Sequence, residues 1–237
     1  MIRLPAVLLV ALAVGPASAA GPLEFHLTFD AKARPTPFTG RVYVTLGSAE
    51  ATALRGWPNW FSPQPGFARD VVNWKPGEKL IFDKGALGYP VSLDRVKKGT
   101  WTVQAVMDAH PNHINFTTAP GNVWGAARLE LDPATTGPVA LRLDRVFQEP
   151  AFQETDRVKL VDVESRLLSD FHKRPTRMRA AVILPESYAK APARRYPVVY
   201  EIPGFSGTHR SALGRDAGVT NRGGVEVLHV VLDPSCH

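Results

Sequence analysis

A few side chains stand where type and spacing would allow chemistry. Ser206 lies in the run Gly204, Phe205, Ser206, Gly207, Thr208, one residue short of the G-x-S-x-G elbow that carries a serine nucleophile. The elbow needs small residues two places either side, because its turn packs backbone tightly. The β-branched Thr208 fills one of those places, so Ser206 reads as a hydroxyl that caps a following helix, and it is kept as a candidate nucleophile. Asp108, His110 and His113 offer metal-ligand types. Pro111 breaks any helix that would align them, so a turn is expected there and no metal site is assigned. Trp57 and Trp60, followed by Phe61, Pro63, Pro65 and Phe67, would stack on a sugar ring if exposed, or pin their own loop if buried. At the rear, His209 follows Ser206 by three residues, and His229 inside an apolar run reads as a core histidine. Asp233 and His237 follow the last strand, at the carboxyl-end rim where α/β sheets meet ligands.

The elements that must position these residues fall into two groups. Up to about residue 147 the period is two. Leu23, Phe25, Leu27 and Phe29 alternate with polar neighbours, Arg41–Leu46 repeats the pattern, and 79–82, 99–106, 128–131 and 139–146 supply further strands. Turn pairs such as Pro76-Gly77, Asp132-Pro133 and Gly137-Pro138 separate them. Short alternating strands with regular punctuation predict an antiparallel β-sandwich over residues 21–147.

Residues 148–157 are polar and aperiodic and read as a linker. After it come strands over 158–165, which Arg166–Leu168 extends, 177–184, 196–202 and 225–232, with room for one short helix in 207–220. The last of these ends in continuous apolar residues, as suits a strand buried on both faces of a parallel sheet.

Composition bounds the partners. The chain has 237 residues, 44% apolar and 21% charged, with 21 prolines and 19 glycines, which is globular material built of short elements. Arg3 precedes eleven largely apolar residues, Leu4–Val14, then Gly15-Pro16 and small residues at Ala17 and Ala19. That order of charge, apolar run and cleavage site predicts a secretory signal over residues 1–20, cut after Ala19 or Ala20. The run is too short for a membrane span, which needs roughly 20 residues. The destination is the periplasm or the outside. The net charge of +6 is spread among acids, with no interleaved aromatic residues, and excludes a nucleic-acid partner. The single cysteine, Cys236, has no partner within this sequence for a disulfide.

The residues from Val182 to Gly207 resemble the enterochelin-esterase-like and feruloyl-esterase-like branch of the α/β-hydrolases. They carry Leu184-Pro185, Tyr188, a short polar loop, Tyr196-Pro197-Val198 and an apolar strand running into Gly204. Together with the order of the surrounding strands (two antiparallel, a third ending at Gly204, then a helix region and a fourth), the resemblance covers about a third of the chain and implies a mixed fold: a β-sandwich ahead of the first strands of an α/β-hydrolase domain, residues 158–237. It implies an oxyanion loop in which Gly204 allows a tight turn and the Phe205 N–H is one donor, with a second donor after the nucleophile. Pro203 stands where that branch often has histidine. Nucleophile, acid and histidine follow in that order in such folds and are expected beyond His237, so the chain reads as a fragment, inactive as it stands. The expected parent is a secreted serine esterase acting through an acyl-enzyme on a small-molecule or polysaccharide-linked ester, without metal or organic cofactor. The rival reading is an extracellular carbohydrate-binding or adaptor protein, its sugar held by Trp57 and Trp60, with a degenerate hydrolase segment.

Overall fold

The computed structural model describes residues 21–234 except 53, 55–58, 60, 112, 114, 192, 205, 206 and 216. The chain divides into two compact units. The front unit runs to Asp108 and takes in Val123–Val146, and the rear unit comprises Ala109–Asn122 and the residues from Phe147 onward. No helix among the described residues is long and apolar enough to cross a membrane.

The front unit contains β1 (Glu24–Phe29), β2 (Phe38–Gly47), β3 (Gly66–Trp74), β4 (Leu80–Phe82), β5 (Leu87–Tyr89), β6 (Gly99–Asp108), β7 (Val123–Leu131), β8 (Pro138–Leu143) and β9 (Arg145–Val146). One sheet has the order β4-β1-β8 and the other β5-β3-β2-β6-β7-β9. The larger sheet is antiparallel throughout. The smaller is not: β1 pairs antiparallel with β4 but parallel with β8. That corrects the wholly antiparallel expectation. Alternation fixes which face a strand buries but says nothing of the direction of its neighbour.

The alternation of β1 is borne out, with Phe25, Leu27 and Phe29 buried and the residues between them half-buried. The sheets meet through such faces. Phe29 sets its ring edge-on to Trp74 of β3, with centroids 4.7 Å apart. Burying a side chain of that size stabilises by about 2–3 kcal/mol. β3 is a strand that the sequence reading missed. It starts at Gly66, so Phe67 is a buried strand residue, 1% exposed, and not part of an aromatic loop. Its alternation fails near Asn73, whose φ of 55° lies in the left-handed region.

The rear unit contains β10 (Val158–Glu164), α1 (Arg166–His172), β11 (Arg177–Ile183), β12 (Val198–Glu201), β13 (Asn221–Arg222), β14 (Val225–Glu226) and β15 (Leu228–Leu232). Its main sheet has the order β10-β11-β15-β12. β10, β11 and β15 pair antiparallel in turn, and β12 pairs parallel with β15. One face is packed: Val158, Ala181, Ile183, Ala212 and Val231 are buried, with Phe152, Leu213 and Val219 against them.

Three expectations are corrected here. Arg166–Leu168 does not extend a strand. Ser165 accepts a hydrogen bond from the Leu168 N–H and starts α1, as an N-cap serine does. The helix foreseen in 207–220 is two 3-10 turns, His209–Ala212 and Ala217–Thr220. The strand foreseen over 225–232 is divided, because Val225–Glu226 turns back through Gly223 and Gly224 to pair with β13. β15 itself buries only His229 and Val231, while Leu228, Val230 and Leu232 on its other face are half-buried.

Candidate active site

The place to look is the carboxyl end of the parallel pair β12 and β15, where side chains and loops from two strands converge. β12 delivers Glu201, Ile202, Pro203 and Gly204 there. The chain then enters the first 3-10 turn, capped by Thr208, whose side chain accepts from the Arg210 N–H. Thr208 therefore does the capping foreseen for Ser206. Phe205 and Ser206 lie outside the described residues.

Gly204 was expected to permit a tight turn, but a side chain there would meet open space. The crowding is at Gly207. A Cβ on Gly207 would come within 2.5 Å of the Pro203 ring and 2.9 Å of the Gly204 carbonyl oxygen. The Gly207 N–H donates to that same carbonyl at 2.8 Å. Glycine is needed three residues later than the resemblance implied, where the backbone doubles back.

His209 donates no visible chemistry to open space. Its side chain is 3% exposed, and Nδ1 stands 2.8 Å from Asp233 Oδ2, itself 6% exposed. Phe152 stacks on the ring at 5.5 Å. The pair ties the loop after β12 to the end of β15. Asp233, foreseen on a substrate-facing rim, is turned inward to hold His209, and its N–H donates to the Arg179 carbonyl at 2.9 Å. His237 lies outside the described residues.

A second network sits on the same sheet face. Glu201 accepts two hydrogen bonds from Arg215, at 2.5 and 2.6 Å, and lies 2.7 Å from His229 Nε2. Arg215 first, and His229 with it, hold the Glu201 carboxyl down at about 2, against the opposing effect of burial. The negative charge of Glu201 is thereby balanced by Arg215. His229 is the core histidine foreseen, 2% exposed, although its Nδ1 has no hydrogen-bond partner among the described residues. Nearby, Glu149 is bonded by Arg179 at 2.9 Å and by Arg210 at 3.3 Å. Burial opposes its charge, yet the two guanidinium groups outweigh burial and hold the carboxyl below its usual range. Glu149 and Phe152, in the aperiodic stretch 148–157, thus make contacts inside the rear unit.

The loop joining β11 to β12, which includes Tyr188 and Tyr196 of the family resemblance, is held by a cluster of side-chain contacts. Ser187 Oγ donates to Glu226 at 2.5 Å and lies 2.7 Å from the Tyr196 hydroxyl. Arg194 pairs with Glu226 at 2.7 Å and lies over the Tyr196 ring. The Tyr188 and Tyr196 rings approach to 5.8 Å.

Other sequence candidates do not join this site. Trp57 and Trp60 lie outside the described residues. His113 Nδ1 is occupied locally, 3.0 Å from the Asn115 carbonyl oxygen and 3.1 Å from its N–H. Among the described residues, no three His, Cys, Asp or Glu side chains gather as a metal site. Sequence reading passed over Glu201 and set His209 aside. The signal present was a lone acid at the end of an apolar strand, Glu201 in Tyr196–Ile202. Compared with known proteins, the sequence matches no family model and no curated protein.

Proposed function

We propose that this chain carries the oxyanion-loop half of an exported serine-type carboxylic-ester hydrolase of the α/β-hydrolase kind. The observation that supports it best is the rear sheet's order β10-β11-β15-β12, in which β10–β11 and β11–β15 pair antiparallel and β15–β12 pairs parallel. An α/β-hydrolase sheet opens in that order. The loop after its third strand supplies one backbone donor to the oxyanion, and here that loop begins at Gly204 and passes through Phe205. By the family resemblance the Phe205 N–H would be the donor that meets the negative charge of the tetrahedral intermediate. The tie between His209 and Asp233 favours such a use, because it fastens the stretch after Gly204 to the end of β15.

The substrate class is a small-molecule or polysaccharide-linked ester, cleaved through an acyl-enzyme. This chemistry calls on no metal or organic cofactor. By the same resemblance, the nucleophile, its acid and its histidine would follow β15 in an intact hydrolase. Reading the source DNA past the codon for His237 tests the proposal. The expected outcome is a frame that continues into a further strand and G-x-S-x-G, with an acid and a histidine later. A stop codon there, together with an inert protein, would sink the hydrolase reading. Hydrolysis of p-nitrophenyl acetate by the chain itself, abolished in Ser206→Ala, would move the nucleophile to Ser206.

A further inference from the structure

The front unit contains a hollow unrelated to the rear rim. After β2, the described residues Ala51, Leu54 and Pro65 are fixed to the six-stranded sheet at separate points. Gln104, fully buried, uses both ends of its amide on the backbone of Leu54, at 2.8 and 3.2 Å. Thr102 Oγ1 donates to the Ala51 carbonyl at 2.6 Å, and the Leu46 N–H donates to Pro65 at 2.8 Å. Gly47 makes room for this arrangement, since a Cβ there would lie 2.3 Å from the Leu54 side chain.

Between the held segment and strands β6 and β7 lies a cavity of about 330 Å³, within the size range of small-ligand sites. It persists because β7 places the small Ala126 on that face. Ala126 pairs with Gln104 and Arg128 with Thr102, so Ala126 and Arg128 stand on the same side of the pleat. Clamped at Ala51 and Leu54, the held segment is kept from collapsing onto Ala126.

The lining limits the occupant. Ala49, Ala51 and Ala126 offer an apolar floor, and Glu50 and Arg128 stand exposed at the rim with opposite charges. Ser48 donates a hydrogen bond to the Glu50 carboxylate and so aims it. The Thr102 hydrogen is committed to Ala51, so its hydroxyl oxygen can only accept. Arg128 acts electrostatically on the Glu50 carboxylate, so the rim has no net charge to favour a lone anion or a lone cation. A purely apolar ligand would strip water from both charges without replacing it. A neutral molecule with a C–H face and a ring of hydroxyl groups matches both the alanine floor and the paired rim. We infer that this hollow binds one or two rings of a neutral sugar. Its C–H face lies on the alanines, and neighbouring hydroxyls donate to Glu50 and accept from Arg128.

The test is a titration of the intact, isotope-labelled chain with maltose, cellobiose and xylobiose, followed by amide NMR. At least one sugar should move the amides of Ala51, Thr102, Ala126 and Arg128 in a saturable way in the millimolar range. Ala126→Leu, which fills the floor, and Glu50→Gln, at an exposed site that does not threaten folding, should each weaken it at least about tenfold. The inference is overturned if no sugar moves these amides, if both variants bind as the parent does, or if galacturonate binds more tightly than the neutral sugars. None of these outcomes depends on whether the rear unit belongs to a hydrolase.

Discussion

The front and rear units are built from similar strands, yet they dispose of their apolar faces differently. In the front unit two sheets turn apolar faces on each other, and Phe25, Leu27, Phe29, Phe67 and Phe82 are all at most 2% exposed. In the rear unit one face of the sheet is packed by the 3-10 turns, Phe152 and Leu213, while the other stays open. On that open face lie Val161 and Val163 of β10, Met178 of β11, and Val198 and Tyr200 of β12 with Ile202 beyond it, exposed by 40 to 75%. Pairing registers place them on one side with Val182, Leu228, Val230 and Leu232. The packed side carries the polar machinery instead: His229, Glu201, Arg215, His209 and Asp233. The front unit is stabilised by what it buries. The rear unit devotes its covered face to hydrogen-bonded charges and leaves its most apolar face to water.

The largest difference should appear in core truncations. Phe25→Ala in the front unit should cost about 3–5 kcal/mol, the usual cost of removing a buried ring and leaving a cavity. Ile202→Ala, at 75% exposure, should fall within about 0.5 kcal/mol of the parent. Urea unfolding of the two variants checks this, and a cost at Ile202 near that at Phe25 would mean that the face is covered in solution.

Next in size is the charged network. Glu201→Ala strands Arg215 and takes from His229 Nε2 its partner, at a cost of about 2 kcal/mol. The pH dependence follows from the same contacts. The Glu201 carboxyl is held near 2, below its ordinary 4.5, so its contribution is complete above about pH 4.5. It is lost as the pH falls from there toward 2, because the unfolded chain takes up the proton first. Thermal melts between pH 6 and pH 2 should therefore fall more steeply for the parent than for Glu201→Gln. Parallel slopes would remove Glu201 as the source.

Much of the front unit was legible because polar and apolar residues alternate along its strands, even in β6, where Thr102 and Gln104 are themselves buried. Leu23 to Phe29 and Gly99 to Val106 read directly as strands. β3 escaped because Asn73 breaks the alternation between Val71 and Trp74. In the rear unit the apolar runs located β11, β12 and β15, but α1 was read as strand although Ser165 was an available cap. Sequence spacing could not bring His209 to Asp233, twenty-four residues on. Their meeting depends on the crossover that sets β15 beside both β11 and β12, and so on sheet order, which no local pattern encodes. Gly207 was missed for a similar reason, since its need for glycine comes from Pro203 folding against it.

The smallest effect in free energy is the most direct probe of the open face. Tyr200 and Ile202 extend from β12, which lies at the edge of the rear sheet with β15 on one side. An apolar patch of this kind beside a strand edge attracts hydrophobic dyes and other chains. Tyr200→Ser together with Ile202→Ser should lower binding of the dye ANS severalfold and reduce self-association, while moving the unfolding midpoint hardly at all, because neither side chain is buried. The matching substitutions in the front unit, Phe67→Ser and Phe82→Ser, should do the reverse. They would raise dye binding by opening the core and lower the midpoint steeply. If Tyr200→Ser with Ile202→Ser destabilised the chain as strongly as the front-unit pair, the two units would not differ in how they cover their sheets, and the open face would be a buried one.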